Sequence, residues 1–301
     1  MNIYVPDYYK EFKCIADKCN HNCCIGWEID IDGDTYDKYK RVEGEFGDKL
    51  KSNISTKRQP HFVLGENDRC PFLNKNNLCE IIINLGEDYL CGICNNHPRY
   101  RNFFSDREEI GLGLCCEAAA ELILKREKKT EFIKICGDGE FPDDDEADFF
   151  EERDNIFYIT QDREFALTER IKTLMKIYDI SLPYTTFGEW SEFLKGLERL
   201  DDEWDDILEK IDKDISIADA LLPENNIANE QMLVYFIHRH LADGIYDEST
   251  RERLAFAIVS VMLINAISLA IGEKFTEIAR MYSSEIEYCE ENMEAFFELL
   301  K

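Results

Sequence analysis

The chain has 301 residues, 45% of them apolar, with only 7 Pro and 15 Gly, which excludes collagen, low-complexity and wholly disordered chains. Its 63 acidic residues against 35 basic ones give a formal net charge of −28. That balance argues against nucleic-acid binding, because neutralising phosphates needs clustered Lys and Arg.

The opening, MNIYVPDYYKEFKC, lacks the basic start and apolar stretch of a signal peptide, so no export is expected. It leads into the first cysteine group, Cys14, Cys19, Cys23 and Cys24. IDIDGDTYDKY follows, with an Asp-Gly turn, an N-cap candidate at Asp34 and a helix expected to about residue 54. Asp30, Asp32 and Asp34 have the alternation of a calcium loop. Such a loop needs Gly at its sixth position and Glu at its twelfth, where this chain has Thr35 and Arg41, so calcium is rejected. HFVLGENDRCPFLNKNNLCEI alternates apolar and polar residues around an Asn-Asn turn and predicts short strands or a hairpin, then a helix at about 79–85. Cys91 and Cys94 precede His97-Pro98-Arg99, Cys115 and Cys116 open an Ala- and Leu-rich helix, and TEFIKIC at 130–136 reads as a strand. GLGL at 111–114 is read as lacking the strand–turn–helix setting of a nucleotide-binding turn, so no Rossmann-type pocket is expected.

GDGEFPDDDEAD at 137–148 is the best linker in the chain, and the expected domain boundary lies there. Beyond it, stretches at about 148–178, 187–197, 201–213, 228–243, 250–272 and 275–299 carry apolar residues at helical spacing with acidic faces. The run Leu254 to Gly272 has nineteen residues without a charge, long enough to span a membrane. Ser260, Asn265 and Ser268 interrupt it and its flanks carry mixed charge, so the central helix of a bundle is the better reading and no membrane insertion is expected. The predicted class is therefore mainly α: a cysteine-rich metal-binding region with short strands at 1–136, an acidic linker at 137–148, and an α-helical bundle at 149–301. Residues 1–140 hold 20 basic and 25 acidic residues, whereas 141–301 hold 15 and 38, so the charge belongs mostly to the helical half.

Eleven of the twelve Cys lie between Cys14 and Cys136. Without export, such a group points to metal or redox chemistry rather than disulfides. C-x4-C-x3-C-C places thiols a few residues apart on turns, and a hairpin would bring Cys70 and Cys79 together. Cys91-x2-Cys94 has the spacing of zinc knuckles and iron–sulfur sites, with His97 and His21 as further candidate ligands. Irregular spacings suit an iron–sulfur cluster as readily as zinc. Cys91-x2-Cys94 could also serve thiol redox exchange. His238 and His240, two apart on a helix, diverge and make no simple metal pair, and Trp190 and Trp204 read as core or rim aromatics.

The blocks YVPDYYKEFKC…CNHNCCIGW, RCPFLNKNNLCEIIINLGEDYL, CNNHPRYRNFF and GLGLCCEAAAELIL, in order over about residues 3–124, resemble the flagellin lysine-N-methylases. The first block also looks like the broader zinc- or iron-chelating cysteine-cluster domains. The resemblance implies a cytoplasmic bacterial enzyme that methylates flagellin ε-amino groups with S-adenosylmethionine and an iron–sulfur cluster of the 4Fe-4S type. Carried over by position, it implies Cys14, Cys19, Cys23, Cys24, Cys70, Cys79, Cys94 and Cys115 as metal ligands. Cys91 falls where Ser is common in the family and receives less weight. Asn95 and Asn96 depart from a frequent Arg, and Arg99 is the candidate partner for the donor's carboxylate. The other reading is a non-catalytic, zinc-stabilised module whose acidic helical surface docks a partner.

Overall fold

The computed structural model describes residues 1–301 except 140–141, 202, 212–213, 222–224 and 273, so parts of the expected linker and of the predicted helix at 201–213 lie outside the described residues. In chain order the elements are β1 (Asn2–Pro6), α1 (Gly33–Lys40), α2 (Gly44–Ser52), β2 (Ile54–Ser55), β3 (His61–Phe62), α3 (Glu80–Leu85) and α4 (Gly92–Asn96). Then come β4 (Arg99–Phe103), β5 (Arg107–Leu112), α5 (Glu117–Leu124), β6 (Phe132–Cys136), α6 (Asp144–Thr160), α7 (Leu167–Ile177), α8 (Phe187–Lys195) and α9 (Glu203–Glu209). The C-terminal part holds α10 (Asn226–His240), α11 (Gly244–Asp247), α12 (Thr250–Ile271), α13 (Phe275–Tyr282), a π-helical turn (Ser283–Glu287) and α14 (Glu290–Leu299). About 54% of the chain is helical, with a small mixed sheet, consistent with the mainly α class.

The chain divides into two compact units: one is Lys13–Arg99, the other is Met1–Phe12 together with Tyr100–Lys301. This is a different division from the one expected at 137–148. The physical reason is strand pairing. The larger unit contains a four-stranded sheet in the order β4-β5-β1-β6, in which β1 runs parallel to β5 and antiparallel to β6. The first six residues thus sit between strands from beyond position 100, and residues 100–136 belong with the helices.

In the larger unit, α6 covers one face of the sheet. Phe104 meets Phe150 at 4.9 Å and Phe132 meets Phe157 at 5.0 Å. Asp143 caps α6 by accepting the Glu146 N–H, as its place before an acidic first turn predicts. Behind it, α10 and α12 pack together at the centre, and every residue of α12 from Arg253 to Ile267 is buried. The apolar run at 254–272 is therefore packed as a core helix, although by length and composition alone it could cross a membrane. Its buried Asn265 is matched: it exchanges hydrogen bonds with Asn229 of α10 at 2.7 and 3.2 Å. Trp190 and Trp204 are fully buried, as core aromatics.

The smaller unit has its own core of Ile29, Ile31, Tyr39, Leu50, Phe62, Phe72 and Ile81, closed by thiols. The expected helix from residue 34 is two helices, α1 and α2, broken at Arg41–Glu43, and its N-cap is Asp32, whose side chain accepts the Thr35 N–H. The Asn-Asn turn forms as predicted: Asn74 N–H donates to the Leu78 carbonyl, and Leu73 bridges Cys79 in antiparallel register.

Candidate functional site

Several turns of the smaller unit deliver a thiol to its core. The Cys70 N–H donates to the Cys24 carbonyl at 2.8 Å, which ties the first cysteine group to the hairpin. The bridge between Leu73 and Cys79 folds Cys79 back towards Cys70. Cys79 and Cys91 are the residues that precede α3 and α4. Asp32 holds the last of these in place. Its Oδ1 caps α1 through Thr35, and its Oδ2 accepts the Gly92 N–H at 2.8 Å. The residue that looked like part of a calcium loop is thus a strut between two helix starts.

Cys24, Cys70, Cys79, Cys91 and Cys94 all pack in or against this one core. Their charges are mutually felt: Cys24 lies within electrostatic reach of Cys70 and Cys79, Cys94 of Cys24 and Cys70, and Cys91 of Cys70 and Cys79. Two pairs share a proton. The Cys24 thiol donates to Cys23 and lowers its pKa to about 7, while Cys24 itself is raised as the donor. Likewise Cys94 donates to Cys91, which lowers Cys91 and raises Cys94. Burial pushes Cys70 up to about 11 and also raises Cys79. His97, whose ring lies 6.0 Å from that of Trp27, is held neutral by burial and by Arg99, with its pKa lowered to about 4.

This donor set fits a soft, thiolate-bound metal. Cys24, Cys70, Cys79 and Cys94 resist ionisation on their own, and a bound cation reverses that preference by displacing their protons. Among the described residues, no three His, Cys, Asp or Glu side chains already converge as the ligand shell of an ion. The gathering of donors is in place and the closed shell is not.

The expected ligands therefore fall into different settings. Cys23, Cys24, Cys70, Cys79 and Cys94 come together. Cys91, which the family comparison of motifs weighted least, is fully buried among them. Cys14 is exposed and accepts the Ala16 N–H, and Cys19 donates to the His21 carbonyl at 3.2 Å, so both are turn residues at the edge of the group. Cys115 lies in the other unit, hydrogen-bonded to Tyr288. Arg99 donates from Nη1 to the Asn95 carbonyl at 3.4 Å, across the end of α4.

The larger unit holds a second cluster that the sequence reading did not single out. On β5, Glu109 forms a two-pronged pair with Arg153 of α6, with both nitrogens at 2.7 Å. Burial opposes its charge, but Arg153 and His238 hold the carboxyl well below the usual range. His238 Nε2 is 3.3 Å from Glu109, its Nδ1 accepts the Tyr100 hydroxyl at 2.8 Å, and Phe132 stacks on its ring at 4.3 Å. Tyr100 fits there because residue 111 is Gly: a Cβ at that position would stand 2.1 Å from its ring. On the far side of Tyr100, the Tyr235 hydroxyl donates to Glu287 at 2.6 Å and accepts from Arg239 Nη1 at 2.7 Å and from the Leu114 N–H at 3.2 Å. Glu287 ends the π-helical turn, a wide turn often found at functional sites. His238 and His240 diverge as expected, one to Glu109 and one to Glu287, and burial lowers the pKa of both.

The signal that could have found this cluster is a run of charged and polar residues inside an otherwise apolar helix, MLVYFIHRH, facing Glu109, the buried one of two Glu in a strand. GLGL at 111–114 also corrects the reading above. It does join a strand to a helix, β5 to α5, although it lacks the third glycine of a dinucleotide turn.

No family model matches this chain, and no solved structure does. Proteins named lysine-N-methylase from Salmonella typhimurium and Salmonella choleraesuis are each 26% identical to it over 133 residues, which is 40% of this chain and 31% of theirs. The flagellar biosynthetic protein FliU of Salmonella muenchen is 26% identical over 126 residues, covering 40% of this chain and 75% of that protein. The aligned part thus spans about a third of the lysine-N-methylases.

Proposed function

We propose that this chain transfers methyl groups to lysine ε-amino groups of flagellin, with S-adenosylmethionine as donor and a thiolate-bound iron–sulfur cluster in its smaller unit. The observation that carries the reading is the similarity to the two proteins named lysine-N-methylase, joined by FliU, whose name supplies the flagellar link. The gathered thiols support the metal part: Cys24, Cys70, Cys79, Cys91 and Cys94, with Cys23, would hold the cluster. When bound, such a cluster would supply thiolate-held iron whose redox poise is set by burial and by hydrogen bonds to the sulfurs. Work in the cytoplasm accords with free thiols.

The transfer itself asks two things of the chain. The attacking lysine must be neutral, since its lone pair forms the new bond to the methyl carbon while the carbon–sulfur bond breaks towards sulfur. Desolvation favours that neutral form and also removes competing water. The proton leaves nitrogen to a nearby acceptor.

The alternative of a zinc-stabilised module has one observation in its favour: the smaller unit is short, and thiols make up part of its core. Anaerobic purification with quantification of iron, sulfide and zinc separates the two, followed by mass spectrometry of flagellin incubated with protein and donor. Iron with sulfide and a methyl mass increment on flagellin lysines is the expected result. Zinc without sulfide, and flagellin of unchanged mass, would sink the enzyme reading.

A further inference from the structure

Two buried arginine–carboxylate pairs in the larger unit are built differently. Arg153 uses both terminal nitrogens on Glu109, and the pair is closed and fully buried. Arg239 spends one terminal nitrogen, Nη1, on Tyr235 at 2.7 Å, and its Glu287 contact at 3.2 Å is made from that same nitrogen. Among the described residues no partner takes its Nε or Nη2, and neither belongs to the buried atoms left without one. The guanidinium is clamped between the rings of Tyr100 at 5.2 Å and Tyr288 at 4.8 Å. Tyr288 is 43% exposed, and its hydroxyl bonds the Cys115 thiol, so this end of the cluster opens to solvent. An arginine held rigidly by one edge, with its second edge open, has the form of a carboxylate receptor, because two parallel N–H donors match two carboxylate oxygens.

We infer that Arg239, framed by Tyr100, Tyr288 and Cys115, binds the carboxylate of an amino-acid-type ligand in the larger unit. Given the function proposed above, on which this inference rests, that ligand is the methionine end of S-adenosylmethionine. Tyr100 and Cys115 come from the motifs RYRNFF and GLGLCC, two of the blocks through which the sequence resembles the methylases. Both therefore build this cluster rather than the thiol core. The assignment replaces Arg99 as the carboxylate partner. Glu287 and Tyr235 act as positioning residues, fixing the fork in orientation.

The test uses anaerobically purified full-length protein and titration calorimetry with three probes: S-adenosylmethionine, S-adenosylhomocysteine and decarboxylated S-adenosylmethionine. Wild type should bind the two carboxylate-bearing probes about 10- to 100-fold more tightly than the decarboxylated one. Arg239→Lys keeps a cation beside Glu287 but loses the fork, and should bind all three with similar, weakened affinity. The double variant Arg239→Gln/Glu287→Gln removes both charges together, so a fold defect from an unpaired buried carboxylate is avoided, and it should behave like Arg239→Lys. Full discrimination retained in both variants would overturn the assignment while leaving the donor reading intact. Wild type that binds none of the probes would overturn the donor reading itself, and this assignment with it.

Discussion

His238 and His240 sit two positions apart, and each reaches a different buried carboxylate, so their ionisation is tied to the stability of the larger unit. Burial lowers both below the ordinary value of 6.5. In the unfolded chain they take up protons near 6.5, while in the folded chain they stay neutral. Their contribution is therefore complete above 6.5 and is lost as pH falls from there towards the folded pKa, by at most about 1.4 kcal/mol per histidine per pH unit. Acidification also relieves the repulsion of a chain with net charge −28, which works the other way. A comparison with a His238→Gln/His240→Gln variant cancels that background. Urea unfolding at about pH 7.5 and 5.5 should show wild type losing stability relative to the variant on acidification. An unchanged difference between the two would refute neutral burial. At this scale the thiols were legible in the sequence as candidate ligands by residue type. Which of them meet was not, because Cys24, Cys70, Cys79 and Cys91 are brought together by a hairpin bridge and by the Asp32 strut, contacts between residues far apart in the chain.

Helices were read more accurately than strands. The predicted ranges from 187 onward correspond to α8, α9, α10 and α12, with 275–299 divided into α13 and α14 and the short α11 unread, since apolar positions at helical spacing persist over many residues. The 148–178 stretch splits into α6 and α7 at a turn about Asp162. β1, β4 and β5 went unread: NIYVP and RYRNF are five residues each, too short for a period to show, and β1 pairs with strands more than a hundred residues away. For α12, the absence of charge left membrane and core as competing environments, and packing against α10, α13 and α14 decides for the core. Ile264 is fully buried at its centre. Ile264→Ala should cost about 2–5 kcal/mol by chemical denaturation, the range for a truncation that leaves a cavity. A cost under half a kcal/mol would mean that this face of α12 is not packed as described.

For the whole molecule, the main consequence is that the smaller unit interrupts the larger one between β1 and β4. The chain leaves after residue 12 and returns at residue 100. Deleting residues 1–6 should therefore damage the helical unit, not just the adjacent cysteine region, because β1 bridges β5 and β6. The expected outcome is loss of soluble protein or of a cooperative melt by circular dichroism. A truncated protein that melts like the full chain would show that β1 is dispensable. The charge also changes its address. Residues 13–99 carry 12 basic and 14 acidic residues, so nearly all of the −28 belongs to the larger unit.

Local pattern was enough to establish a mostly helical chain, an acidic helical part, a thiol-rich part and a long apolar helix, because each rests on residue type and short-range period. The tertiary structure alone decided the rest. It placed the domain boundaries at 12 and 100, since strand pairing is non-local. It drew Cys91 into the thiol core and left Cys115 beside Tyr288. It also joined Arg239, Glu287, Tyr235 and Tyr100 into one cluster, from segments that carry no shared signal until the chain is folded.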